Sequence, residues 1–164
     1  MHNVYSLFPV IVTHGKLPIE ITVHKKIINF VDKEYETKPT TLSCIDGFQH
    51  HGEFEGKNEL DKIISTYLNN LYKIDIANGW LNVLGNKSYN QPHSHANHDG
   101  TDSGVLYLSN DNNNITFTKD SEIFEIKPKL FDIILFPYNL VHYVLPEERM
   151  NKRICYAFNT KKLK

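Results

Sequence analysis

Eight segments, WLNVLG, NQPHSH, GVLYLS, NITFTK, IFEIKP, DIILFP, LVHYVLP and RICYAFN, follow one another after Ala77, each of strand length and each set off by Gly, Asn, Asp or Pro. β-Branched and aromatic residues dominate them, and such side chains fit a pleated, half-buried surface. Eight short strands in about 80 residues predict an antiparallel sandwich or small barrel. The NDNNN cluster at 110–114 reads as a tight turn between two of them, since Asn and Asp favour turn conformations. No internal repeat accompanies the pattern.

The first half of the chain has a different period. IEITVHKKIINFVDKEYE places Ile21, His24, Ile27, Ile28 and Val31 at three- and four-residue steps, and NELDKIISTYLNNLYKI does the same with Leu60, Ile63, Ile64, Tyr67, Leu68 and Leu71. Two amphipathic helices are expected. GFQHHGEFEGK between them has Gly and charge without periodicity and reads as a solvated loop, its His50–His51 pair included. SLFPVIV, with Pro9 inside, reads as an edge strand or extended arm. The expected organisation is one domain over residues 1–164, with arm and supporting helices in 1–78 and a jelly-roll core in 79–160, the helices covering one side.

Composition removes several functions. A formal net charge of -1 in 164 residues gives no broad basic face, so nucleic acid and anionic lipid are not indicated as partners, although a local basic groove stays open. No apolar run approaches the roughly 18 residues of a membrane span, and no basic n-region precedes the short apolar stretch near the start. A cytoplasmic location is expected. Cys44 and Cys155 are a lone pair without CxxC spacing, which points away from both a disulfide framework and a zinc knuckle. Of 18 basic residues only Arg149 and Arg153 are Arg. A chain so rich in Lys keeps Arg where Lys does not suffice.

NQPHSHANHD concentrates three of the nine histidines. On a strand, His93 and His95 emerge on one face about 6.5–7 Å apart, so both imidazoles can converge on one metal. His98 falls outside the alternation. LVHYVLP supplies His142 in an apolar setting where a bare imidazole needs a partner. Arg153 follows eleven positions later, on what reads as the neighbouring strand. Beside a metal its planar fork pairs with a carboxylate in bidentate fashion. The plain alternative, surface histidines and a strand-edge Arg in solvent, stays open at this point.

Together, WLNVLGNKSYNQPHSH, SGVLYL, LFPYNLVHYVLP and RICYAFN resemble the phage-type and bacterial 2-oxoglutarate- and Fe(II)-dependent oxygenases related to the prolyl hydroxylases. The resemblance covers residues 79–160, with a weaker match at SLFPVIV. It implies a mainly β, cupin-like double-stranded β-helix with flanking helices, and Fe(II), 2-oxoglutarate and O2 as cofactors. It further implies His93 and His142 as iron ligands, with Arg153 as the anchor of the co-substrate's distal carboxylate. Tyr107 matches a strand tyrosine that bonds the same carboxylate, and Asn82 is a weaker candidate for that pocket. For Asn159 a structural role weighs equally. The family's triad of two His and one carboxylate is departed from, because His95 stands at the carboxylate position. Asp99 or Asp102, just beyond, are alternative third ligands.

Three function classes follow from these residues. The first is an oxygenase coupling oxidative decarboxylation of 2-oxoglutarate to hydroxylation of an unidentified substrate, with a peptide side chain preferred from the resemblance. The second is a three-histidine cupin-like dioxygenase without 2-oxoglutarate, which has no need for Arg153. The third is a non-catalytic jelly-roll binding or phage structural-accessory protein. HGEFEGKNE and ANHDGTD are candidate cleft rims, and neither interleaves aromatic with basic residues as single-strand binders do. A homo-oligomer is compatible with the sequence, as is a phage-encoded protein acting in a host cytoplasm.

Overall fold

All eight predicted segments are strands, and they build two facing antiparallel sheets. The computed structural model describes residues 10–35, 43–95, 102–110 and 113–163. In chain order the elements are β1 (Thr13–Lys16), α1 (Ile21–Tyr35), β2 (Cys44–Ile45), β3 (Phe48–His50), α2 (Lys57–Tyr72), β4 (Ile74–Leu84), β5 (Tyr89–His93) and β6 (Asp102–Tyr107). They continue with β7 (Ile115–Lys119), β8 (Glu122–Ile126), β9 (Asp132–Pro137), β10 (Val141–Val144) and β11 (Arg153–Lys162). The larger sheet runs β1-β9-β6-β11-β4-β3 and the smaller β2-β5-β10-β7-β8. This is the jelly roll that the strand pattern predicts.

Alternation along the central strand β11 divides the molecule into layers. Ile154, Tyr156 and Phe158 face the helices, where they join Val23, Ile27 and Val31 of α1 and Leu60, Ile64 and Leu68 of α2 in one core. Cys155 and Ala157 face the other way, into a second core closed by Ile115, Phe117 and Leu140 from the smaller sheet's side. Gly104 lets the aromatic side of this arrangement close, because a Cβ there would collide with the Phe158 ring and lie 2.9 Å from Leu135. Gly79 makes the same close approach to Tyr156. Glycine is needed at both places for the absent side chain.

The structure corrects several sequence expectations. The change from helix to strand falls at Ile74, ahead of Ala77 and of the expected boundary at 78/79. The supposed loop at GFQHHGEFEGK contains β3, whose Phe48 and Gln49 are buried against β4; a three-residue strand is too short to show its period. β2 was likewise too short to read. Ser6–Pro9 of the expected arm lie outside the described residues, Val10–Val12 precede any strand, and the edge strand is β1, paired with β9. Ile21 and Leu71, counted in the helical stripes, are exposed. His24 holds its place differently from the apolar residues around it, bonding the Leu108 carbonyl at 2.8 Å and meeting Phe131 edge-on.

Candidate metal centre

His93 ends β5 and His142 lies directly opposite it on β10, so the two imidazoles share the inner face of the smaller sheet with ring centroids 4.3 Å apart. The pairing contains a bulge, three positions from Asn90 to His93 facing two from Val144 to His142. Pro92 lies within it, where a missing N–H costs no ladder bond. The bulge turns Asn90 and His93 to the same cleft, although strict alternation would separate them.

His95 lies beyond the end of β5, contrary to the expectation that both histidines of HSH share a strand. Its backbone N–H instead donates to the Tyr138 carbonyl at 2.7 Å, which fixes the segment against the β9–β10 turn. The His95 ring still converges, at 5.5 Å from His93 and 5.2 Å from His142. One ligand atom from each of the three lies within 4.8 Å of the others, the one such group among the described residues. Asp102, at the start of β6, is not in it. Asp99 and His98 lie outside the described residues.

The hydrogen bonds decide which ring nitrogen points inward. His93 Nδ1 donates to the Gln91 carbonyl at 2.8 Å and His142 Nδ1 to the Leu140 carbonyl at 3.0 Å. A carbonyl only accepts, so each Nδ1 carries the proton. Burial lowers the pKa of His93 and pushes that of His142 down to about 3, with neighbouring imidazoles adding to the effect on His142. Both rings are therefore neutral, and their Nε2 lone pairs are free for a metal. His95 Nδ1 lies 2.7 Å from Asn159 Oδ1 and 2.7 Å from Ser103 Oγ, which gives it the same tautomer. Three imidazoles with outward-bonded Nδ1 atoms fit a first-row divalent ion.

Arg153 comes from the facing sheet. The sequence suggested a strand neighbouring that of His142, but β11 pairs with β4 and β6 while β10 pairs with β5 and β7. The sandwich brings them together. Arg153 is 2% exposed, has no carboxylate partner among the described residues and leaves Nε without a hydrogen bond. Its two bonds run to Cys155 Sγ at 3.4 Å, an ordinary length for sulfur, and to the Tyr107 hydroxyl at 3.5 Å, long for oxygen, and it lies 5.1 Å from the centre of the Tyr107 ring. Burial pushes the Tyr107 hydroxyl up and the Cys44 thiol up to about 12, so neither supplies a negative charge.

Asn82 and Asn90 line the same cleft as Arg153 and the three histidines. Asn82 Oδ1 accepts from Gln49 Nε2 at 2.5 Å and from Cys44 Sγ at 3.5 Å, which leaves its amide N–H groups for the cleft. Asn90 Nδ2 donates to Cys44 Sγ at 3.1 Å. Sequence reasoning missed Asn90, Gln49 and Ser103; the bulge hides the first, and the others sit on segments whose neighbours cannot be read from spacing. His50 and His51 are outside the three-histidine group: His50 packs against Phe30 at 4.9 Å, and His51 stacks on Trp80 at 5.4 Å.

No family model matches the sequence, and no curated protein matches it. Solved structures do resemble the fold. A Pseudomonas putida prolyl-4-hydroxylase is 14% identical, with a TM-score of 0.69 over 93% of each chain. A Trichoplax adhaerens prolyl hydroxylase, solved with a hypoxia inducible factor peptide fragment, is 13% identical, with a TM-score of 0.67 over 90% of this chain and 83% of its own. HygX from Streptomyces hygroscopicus, solved with nickel, 2-oxoglutarate and hygromycin B, is 8% identical, with a TM-score of 0.68 over 92% and 82%. The chain has the fold of these oxygenases.

Proposed function

We propose that the protein is a non-heme iron oxygenase that couples oxidative decarboxylation of 2-oxoglutarate to hydroxylation of a substrate C–H bond. The observation that carries this reading is Arg153: a guanidinium fully buried behind three convergent imidazoles, with no carboxylate partner among the described residues. A buried charge without a partner is costly, and a dianionic ligand entering the cleft supplies the missing one. The fold shared with 2-oxoglutarate-binding proteins supports the same choice.

In this reading His93, His95 and His142 hold Fe(II) through Nε2. The bound iron, with 2-oxoglutarate and O2, supplies the oxidising chemistry. Arg153 pairs with the distal carboxylate of 2-oxoglutarate. The Tyr107 oxygen accepts from Arg153, so its own hydrogen is free to donate to the same carboxylate. Asn82 offers amide N–H groups along the cleft. Val105, Ile115 and Ala157 present apolar surface between the polar ends, which keeps water from the reacting region.

The two neighbours solved with a peptide fragment and with hygromycin B support a cleft open to large substrates, and a peptide side chain is the proposed substrate. The whole chain is proposed to act as one catalytic domain. No helix of the described residues is long and apolar enough to cross a membrane, and two buried free thiols support a reducing, cytoplasmic setting.

Anaerobic calorimetry with Mn(II) as an inert stand-in tests the reading first, followed by an Fe(II)- and O2-dependent assay for succinate. Binding of 2-oxoglutarate only in the presence of metal, and slow succinate release without added substrate, are the expected results. No binding of 2-oxoglutarate to the metal-loaded protein would overturn the proposal and leave the cupin-like alternative.

A further inference from the structure

The inner face of the larger sheet carries a row of polar residues for which catalysis as described has no use. Asn159 of β11 stands directly opposite Asn78 of β4 on one side and Ser103 of β6 on the other. Ser103 is fully buried and Asn159 is 6% exposed. Ser103 Oγ donates to Asn159 Oδ1 at 2.8 Å, and Asn159 Nδ2 donates to Asn78 Oδ1 at 3.1 Å. Both donations fix the amide so that Oδ1, not Nδ2, faces His95 Nδ1 at 2.7 Å.

Ser103 and Asn159, on adjacent strands, thus meet one imidazole, and Asn78 on the next strand holds Asn159. The other two histidines take carbonyls two residues away, Gln91 and Leu140, as acceptors. His95 lies off the end of its strand, and its Nδ1 meets Asn159 and Ser103 of the opposite sheet instead of a carbonyl of its own segment.

We propose that Asn159, held by Ser103 and Asn78, is a positioning residue that makes His95 a metal ligand, by fixing its ring and keeping Nε2 unprotonated. The proposal rests on the reading of His95 as a ligand. It also explains how an imidazole serves where related enzymes use a carboxylate: the larger sheet presents an acceptor, which suits a ring N–H and not a carboxylate oxygen. Acceptors bonded to the outer nitrogen of a liganding His orient it and raise its basicity, and their loss typically weakens metal binding about 10–100-fold.

Co(II) titration of the metal-free full-length chain, by calorimetry and visible absorption, tests it with five proteins: wild type, His95→Ala, Asn159→Leu, Asn159→Asp and the His95→Ala/Asn159→Leu double variant. Asn159→Leu should weaken Co(II) binding about 10–100-fold, while Asn159→Asp, which keeps an acceptor, should bind within about threefold of wild type or tighter. The double variant should be no weaker than His95→Ala alone. Where Asn159→Leu does not fold, Ser103→Ala takes its place with the same expected direction.

Three results overturn the proposal. If His95→Ala leaves affinity unchanged, His95 is no ligand and the proposal falls with that reading. If His95→Ala weakens binding but Asn159→Leu does not, the ligand stands and the positioning role fails. If Asn159→Leu weakens the His95→Ala protein as much as wild type, its effect is a general one on the fold.

Discussion

Replacing Arg153 by Met should do two opposite things, and both follow from the same missing counter-charge. In the ligand-free protein the guanidinium is 2% exposed, makes only two hydrogen bonds of 3.4 and 3.5 Å, and leaves Nε unbonded. Exchanging buried charged groups for apolar side chains of similar volume can stabilise a fold by about 1–4 kcal/mol. At about 2–4 °C per kcal/mol for a chain of this size, Arg153→Met should raise the melting temperature of the ligand-free protein by a few degrees. With 2-oxoglutarate the sign reverses. Removing one partner of a desolvated charge pair costs about 2–5 kcal/mol of binding, a loss of affinity from about 30-fold to several thousand-fold. Wild type at about 100 times its dissociation constant gains about 2.7 kcal/mol from the ligand, a rise of roughly 5–10 °C, and the variant at the same ligand concentration should gain at most about 0.9 kcal/mol. Thermal denaturation with Mn(II), with and without 2-oxoglutarate, reads both effects in one experiment. A melting temperature lowered by the substitution together with an unchanged ligand-induced rise would refute the reasoning, because Arg153 would then be an ordinary packed side chain.

Acid stability should depend on His142. Its folded pKa is pushed down to about 3 by burial against about 6.5 in the unfolded chain, so between those values the unfolded state binds the extra proton. Stability of the metal-free protein should therefore fall as pH drops through this window, by up to about 1.4 kcal/mol per pH unit from this group, and His142→Leu should flatten the slope in urea titrations from pH 7 to 4. His93, also lowered by burial, acts in the same direction. At Gly104, where a Cβ would meet the Phe158 ring and Leu135, Ala should cost about 1–3 kcal/mol by overpacking, read as an earlier urea midpoint with metal affinity unchanged.

The periodicities carried the architecture because each describes a long element buried on one side. Leu60, Ile64 and Leu68 of α2, and Cys155 and Ala157 against Tyr156 and Phe158 of β11, are buried where their spacing puts them. His93, His142 and Arg153 were legible for a similar reason: an imidazole or guanidinium within an apolar strand requires an explanation that a loop residue does not. Sheet membership was not legible. Nothing in the residues between His142 and Arg153 says that the chain crosses from one sheet to the other, so two strands adjacent in sequence read as adjacent in space. Asn90 was hidden by the bulge at Gln91–Pro92, which changes a spacing of two into one of three. β2 and β3, two and three residues long, owe their existence to pairing with β5 and β4 and not to any pattern of their own.

The charge of the cleft ties the proposed three-histidine ligand set to the anion it is proposed to receive. Among the described residues no Asp or Glu lines the cleft, and the one formally charged side chain there is Arg153. With three neutral imidazoles as ligands, a divalent ion adds two positive charges to that one, and a dianionic co-substrate leaves one positive charge behind. A carboxylate in the place of His95 would bring the same assembly to neutrality. The three-histidine arrangement therefore holds anions more strongly than a two-His, one-carboxylate site of equal shape, at the cost of binding the metal without a negative ligand. That cost falls on the imidazoles, which must be well oriented to meet it. Each accordingly has an acceptor on its outer nitrogen, and His95, the one beyond its strand's end, is held by buried Ser103 and Asn159 from the opposite sheet.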